Sequence, residues 1–184
     1  MSLKVIHLAA KIENSDSFHL SRLLILINAT AGKTNKPIDG IMKLAKLDFL
    51  LRYPNCLIRV LLKLGKEKAA KEITEEEQNT IEARMIRFRF GPWDKRYRRW
   101  IGILVSKGLA ITYLKGRTIK VQLTSDGSEM ADRIGELGEF TELKKRSKMI
   151  STTVGKYSAT KLKDFVYTVF PEIVDMKWGK DIEL

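Results

Sequence analysis

Four groups of residues in this chain have types and spacings that could do chemistry. Ala31-Gly32-Lys33-Thr34 ends like a phosphate loop, G-x-x-x-x-G-K-[ST], in which glycines let backbone amides surround phosphates. Ile27 stands where that pattern needs its first glycine, and Asn35-Lys36-Pro37 delay the helix whose N-terminus should face the phosphates. The run therefore reads as a helix-ending loop. His7 and His19 are the only histidines and have no Cys or acid at ligand spacing, and Cys56 is the single cysteine. That set excludes an internal disulfide and argues against a metal centre. Glu75-Glu76-Glu77 suits the positive end of a helix better than a carboxylate pair. With no G-x-S-x-G turn either, neither catalysis nor a bound cofactor is expected.

The fourth group is cationic. The chain has 184 residues and a formal net charge of +12, from 34 Lys and Arg against 22 Asp and Glu. Between residues 94 and 120 lie Lys95, Arg96, Arg98, Arg99, Lys107, Lys115, Arg117 and Lys120, with Asp94 the one acid among them. More than half of the net charge thus sits in one short stretch. Such clustering favours polyanions through long-range attraction and counterion release. An acidic protein surface would be attracted by the same patch.

The elements that must position these cations can be read from periodicity. Over 87–90 the alternation of Arg and Phe predicts a half-buried strand, with Ile86, Phe88 and Phe90 inward and Arg87 and Arg89 outward. Gly91-Pro92 ends it, and Asp94 is placed to cap a helix over KRYRRWIGILVSKGL. Tyr97, Trp100, Ile101, Leu104 and Val105 form its inward stripe. Strands over 110–114 and 118–123 flank the compact turn Lys115-Gly116-Arg117. Asp126 and Glu129 then stand at capping-box spacing for a further helix.

Around this unit the chain is helical. FHLSRLLILINATAG is apolar on nearly every side, as a central buried helix would be, although LLILI could also be a strand. In the helix ending at Pro54, Ile41, Leu44, Leu47, Leu50 and Leu51 fall at helical spacing, with Lys43 and Lys46 on the more polar side. Cys56 lies in an apolar run and reads as a buried thiol. Residues 66–78 read as a solvated linker, with Thr74 and Glu77 at capping-box spacing. Leu162, Phe165, Val166, Val169 and Phe170 predict an amphipathic helix stopped by Pro171. Trp178 falls outside any regular pattern, either folded back or free to anchor a partner.

The expected fold is mainly α with a small β-hairpin, a winged-helix domain embedded in additional helices. Its divisions are an arm (1–16), a helical core region (17–65), a charged linker (66–83), the winged-helix unit (84–138) and a C-terminal helical extension and tail (139–184). In a winged helix, the helix before the hairpin enters the major groove and the hairpin tip meets phosphates or the minor groove. The candidate DNA contacts are then Lys95, Arg96, Arg98 and Arg99 on the helix, with Lys115, Arg117 and Lys120 on the wing. Trp93, Phe170 and Trp178 are candidate partner contacts. No opening signal segment is evident and no apolar run approaches a membrane span, so a cytoplasmic protein without membrane association is expected.

KLAKLDFLLRYP (43–54), MIRFRFGPWDKRY (85–97), the hairpin with LTSDG (108–127) and LKDFVYTVFPEIV with Trp178-Gly179 occur in that order. This series, covering residues 18–182, resembles the middle component of bacterial ABC-three-component anti-phage systems, the Lamassu type included. The resemblance implies a small accessory subunit of a hetero-oligomer, with an SMC-like ABC ATPase subunit, an effector nuclease subunit and double-stranded DNA as partners. The nucleotide site would lie on the ATPase. A free-standing winged-helix transcription regulator is the alternative, and it would require a two-fold operator.

Overall fold

The computed structural model describes residues 15–78, 84–89 and 91–184. The arm up to residue 14, with His7, residues 79–83 of the linker, and Phe90 lie outside them. The described chain is mainly helical with two small antiparallel sheets.

Helix α1 (Asp16–Ala31) is the central one: Leu23, Leu26 and Ile27 are fully buried. LLILI is therefore helical, with neighbours on all sides supplying what a surface helix takes from water. Ser17 lies inside this helix and Ser15 precedes it. The Gly32–Thr34 turn ends α1 as a single 3-10 turn. The next residue, Asn35, ties it to the β-hairpin at 110–123 by donating from Nδ2 to the Leu123 carbonyl at 3.0 Å. A two-residue strand, β1 (Ile38–Asp39), leads into α2 (Ile41–Arg52), whose Leu44, Leu47, Phe49, Leu50 and Leu51 are all buried. Pro54 opens α3 (Pro54–Lys63), which buries Cys56, Leu57, Val60 and Leu61.

The 66–83 stretch, expected to be a solvated linker, instead holds two short helices, α4 (Glu67–Lys71) and α5 (Glu75–Gln78). Ala70 and Ile73 are buried, and both helices pack on α3. The capping box forms: the Glu77 carboxylate accepts from the Thr74 amide at 2.9 Å, and the Thr74 hydroxyl accepts from the Glu77 amide at 3.3 Å.

Strands β2 (Ile86–Phe88) and β3 (Gly91–Trp93) form a tight hairpin, so Gly91-Pro92 continues the pairing where a break was expected. The facing is also reversed. Arg87 is buried and donates from Nε to the Ile173 carbonyl at 2.5 Å, whereas Phe88 is 42% exposed. The inward side of this hairpin meets the C-terminal segment, whose free carbonyl takes the guanidinium.

Helix α6 (Tyr97–Ser106) buries Tyr97, Trp100, Ile101 and Leu104, while Val105 at the edge of the expected stripe stays exposed. It leads into β4 (Ala110–Lys115) and β5 (Thr118–Leu123), paired from Ala110↔Leu123 to Lys115↔Thr118. Gly116, at φ +62°, supplies the positive φ that a two-residue hairpin turn requires. Strand β1 pairs with β5, giving the sheet order β1-β5-β4. The unit expected at 84–138 is therefore not closed within those limits, because its third strand comes from Ile38–Asp39.

Helix α7 (Ser125–Ile134) is capped by Thr124, whose hydroxyl accepts from the Gly127 amide at 3.0 Å. The Asp126–Glu129 box expected there is displaced, since the helix begins two residues earlier. A Cβ on Gly127 would lie 1.8 Å from the Leu109 carbonyl oxygen, so only glycine lets α7 sit this close to the start of β4. Helices α8 (Thr141–Thr153), α9 (Ala159–Val169) and α10 (Pro171–Asp175) complete the core. The last residues run along β2: Arg87 donates its amide to the Lys180 carbonyl at 2.7 Å, and Ile182 donates to Met85 at 2.8 Å.

Burial pushes the Cys56 thiol up to about 12, against smaller opposing help from Arg59. At pH 8 the folded chain should therefore resist a thiol-reactive dye, and labelling should appear only with denaturant, following the loss of helical signal. Rapid labelling of the native chain would show that the α3 core opens on its own.

Candidate nucleic-acid interface

Helix α6 is held by charges buried in the core. Asp48 of α2 is fully buried and accepts from Arg22 Nε of α1 at 2.7 Å, from Arg52 Nε at 2.9 Å and from the Tyr97 hydroxyl of α6 at 2.5 Å. Arg52 Nη1 also donates to Asp94 at 3.0 Å, at the entrance to α6. Two guanidiniums thus face two carboxylates, and the buried charge balances. Arg22 Nη1 lies 2.6 Å from His19 Nδ1. Because arginine has no acceptor, this ring nitrogen must accept. Trp100 closes the box, with both guanidinium carbons within 5.8 Å of its ring centre.

Burial would by itself raise the Asp48 carboxyl. The charges of Arg22 and Arg52, with hydrogen bonds from Arg22 and Tyr97, outweigh it and hold the group at about 2. Asp94 is likewise held below the usual carboxylate range: burial opposes, and Arg96 and Arg52 prevail. Tyr97 is pushed well up, by burial first and the Asp48 charge second. The sequence gives two hints of this network, a lone arginine inside the apolar α1 and the i,i+4 pair Asp48–Arg52 in an apolar helix. Lys43 and Lys46, expected on a polar side, are buried as well, and burial lowers the Lys46 ammonium to about 8, with Lys163 adding to it.

Around this anchor the candidate cations separate into two groups. Arg96 grips Asp94 through Nε at 3.0 Å and Nη2 at 2.8 Å, with its guanidinium 4.7 Å from the Trp100 ring centre. Arg99 pairs with Asp16, which also accepts from Trp100 Nε1 at 3.0 Å. Lys120 pairs with Asp39 at 2.5 Å across the β1–β5 ladder. Lys95, Arg98, Lys115 and Arg117 are exposed and make no ion pair among the described residues. Asp94, expected to cap α6 directly, instead sits a turn ahead of Tyr97 and accepts from the Arg96 amide at 2.9 Å.

The candidate partner residues also separate. Phe170 is fully buried, edge-on to Phe49 at 5.5 Å with Arg59 4.6 Å over its ring, so it is a core residue. Its i+4 spacing from Val166 carries it onto the inward stripe. Trp93 is half-buried between Phe88 and Tyr97. Trp178 is 66% exposed. The β4–β5 hairpin carries Leu114 and Ile119, both exposed and directly opposite each other, which the sequence pattern did not single out. No helix among the described residues is long and apolar enough to cross a membrane. No protein-family model, curated protein or solved structure matches the chain.

Replacing Asp48 with Asn should cost about 3–5 kcal/mol, because it leaves the buried Arg22 without a carboxylate and Arg52 with Asp94 alone. Thermal or urea unfolding measures this. Since the folded carboxyl lies below its unfolded value of about 3.9, the native state binds fewer protons. Its contribution is full above that value and is lost as pH falls toward about 2. Acid unfolding of the native chain should fall in this window, and the Asn variant should lose that part of the pH dependence.

Proposed function

We propose that this chain is a winged-helix DNA-binding subunit without catalytic chemistry of its own. The order α1–β1–α2, then α6–β4–β5, with sheet order β1-β5-β4, matches the arrangement in which a helix and a hairpin wing flank a duplex. Residues 54–93 form an insertion between the second and third helices of that arrangement. The observation carrying the proposal is that four of the candidate cations are exposed and make no ion pair among the described residues: Lys95 in the turn that leads into the helix, Arg98 on the helix, and Lys115 and Arg117 on the wing. Arg96, Arg99 and Lys120 are spent on intramolecular pairs and serve to hold the helix and wing in place.

Within this proposal the subunit works inside a hetero-oligomer of the ABC-three-component type, joining an SMC-like ATPase and an effector nuclease to DNA during anti-phage defence. Support for a protein partner comes from Leu114, Ile119 and Trp178, large apolar side chains left in solvent. The DNA contacts are to the phosphate backbone, so sequence preference is weak.

Fluorescence anisotropy on a short duplex tests the DNA part. With four phosphates engaged, the logarithm of the association constant should fall against the logarithm of salt with a slope of about −3.6. Arg98→Glu combined with Arg117→Glu should weaken binding at least tenfold on every sequence tried, and should flatten the slope. Unchanged binding in the double variant would assign the patch to a protein. For the assembly, intact-complex mass of the chain co-expressed with its genomic neighbours should show a large coiled-coil ATPase. A homodimer alone would favour the free-standing regulator.

A further inference from the structure

Beside the N-terminus of α6 the hairpin β2–β3 presents an outer face that the described residues leave open. Register puts Ile86 opposite Trp93 and Phe88 opposite Gly91, so Ile86, Phe88 and Trp93 share that face. The Phe88 and Trp93 rings lie nearly parallel, 5.9 Å apart with planes at 28°, and Phe88 remains 42% exposed. Trp93 is fixed from below by Tyr97 at 5.2 Å, and Tyr97 is in turn fixed by Asp48, so the platform is rigid. Next to it opens a cleft of about 490 Å³, lined by Arg84, Ile86, Trp93, Asp94, Lys95 and Arg96. The Asp94 carboxylate there is already engaged by Arg52 and Arg96. Among the described residues Arg84 pairs with Glu183, an exposed pair that is readily exchanged for another anion.

We propose that this face binds an unpaired nucleotide of a nucleic-acid strand, its base stacked on Phe88 and Trp93 and its phosphate held by Arg84 and Lys95. A flat aromatic surface takes any base by its π-face, and surrounding cations follow the backbone. Charge complementarity favours this occupant over an apolar protein surface, since three of the described lining residues are cations and the one carboxylate among them, Asp94, is already paired. The proposal extends the duplex reading: a strand leaving the duplex on α6 passes Lys95 and reaches the platform.

The test compares a blunt duplex, the same duplex with a short single-stranded overhang carrying 2-aminopurine, and the single strand alone, against the full chain at fixed salt. The overhang should tighten binding about tenfold, the worth of one stacked base, and quench the 2-aminopurine. Phe88→Ala should remove both effects and leave blunt-duplex affinity unchanged. Trp93→Phe, which keeps an aromatic over Tyr97, should retain most of the preference. Arg98→Glu should weaken both duplexes and preserve their ratio. Equal affinity for blunt and overhang duplexes, unaffected by Phe88→Ala, would overturn the platform and leave the duplex reading standing. Single-strand binding lost in Phe88→Ala, with no duplex binding, would uphold the platform and overturn the duplex reading. Binding of none of the three DNAs, or displacement of the overhang by an acidic peptide that needs Phe88, would overturn the platform.

Discussion

The Asp48 carboxylate is the interaction on which the rest of the structure depends. It joins three helices that are distant in sequence, through Arg22 on α1, Arg52 on α2 and Tyr97 on α6, and Arg52 extends the network to Asp94. Apolar packing alone would let α6 slide by a turn at modest cost, because one leucine-lined surface resembles the next. Buried charges do not allow it. A shift of one turn would leave the Tyr97 phenol without its acceptor and Arg52 with Asp48 alone, in a site closed to water, where an unmet polar group costs more than the pair contributes when made. The network therefore sets the orientation of the basic helix more than it adds to total stability.

That fixed frame separates the cations by role. Arg96, Arg99 and Lys120 meet Asp94, Asp16 and Asp39, and these pairs fix the entrance of α6, tie α6 to α1 and tie β5 to β1. A phosphate would have to displace a carboxylate to reach them. Lys95, Arg98, Lys115 and Arg117 face no such competitor, so their charge is available to a polyanion at low cost. Composition reports the total charge; the pairing decides how much of it faces outward.

The segment between α2 and α6 also does more than fill length. Its hairpin β2–β3 turns Arg87 into the core beside Ile173 and Tyr167 and leaves Phe88 in solvent. The C-terminal segment closes over its free edge, with Tyr53 donating to the Ile182 carbonyl at 3.0 Å and accepting from the Met85 amide at 2.9 Å. An edge strand that would otherwise offer open backbone groups is covered, and the aromatic face of the same hairpin stays accessible next to the helix entrance.

Sequence by itself determined what local physics controls. The stripe Tyr97, Trp100, Ile101 and Leu104, the β4–β5 hairpin around Gly116, the Thr74–Glu77 capping box, the buried Cys56 and the stop at Pro171 all follow from helical period, turn geometry and capping chemistry within a few residues. The clustering of cations in 94–120 was equally legible. Tertiary structure alone decided the rest. Alternation in 87–90 fixes that Arg and Phe face opposite ways, but which side is inward depends on Ile173, 86 residues away from Arg87. Two residues at Ile38–Asp39 are too few to show a period, and become a strand only because β5 pairs with them. Arg22 and Asp48 stand 26 residues apart and Asp48 and Tyr97 49 apart. Local patterns carry no record of such partners, because a charge in an apolar helix is tolerable only once the fold brings its counter-charge to meet it.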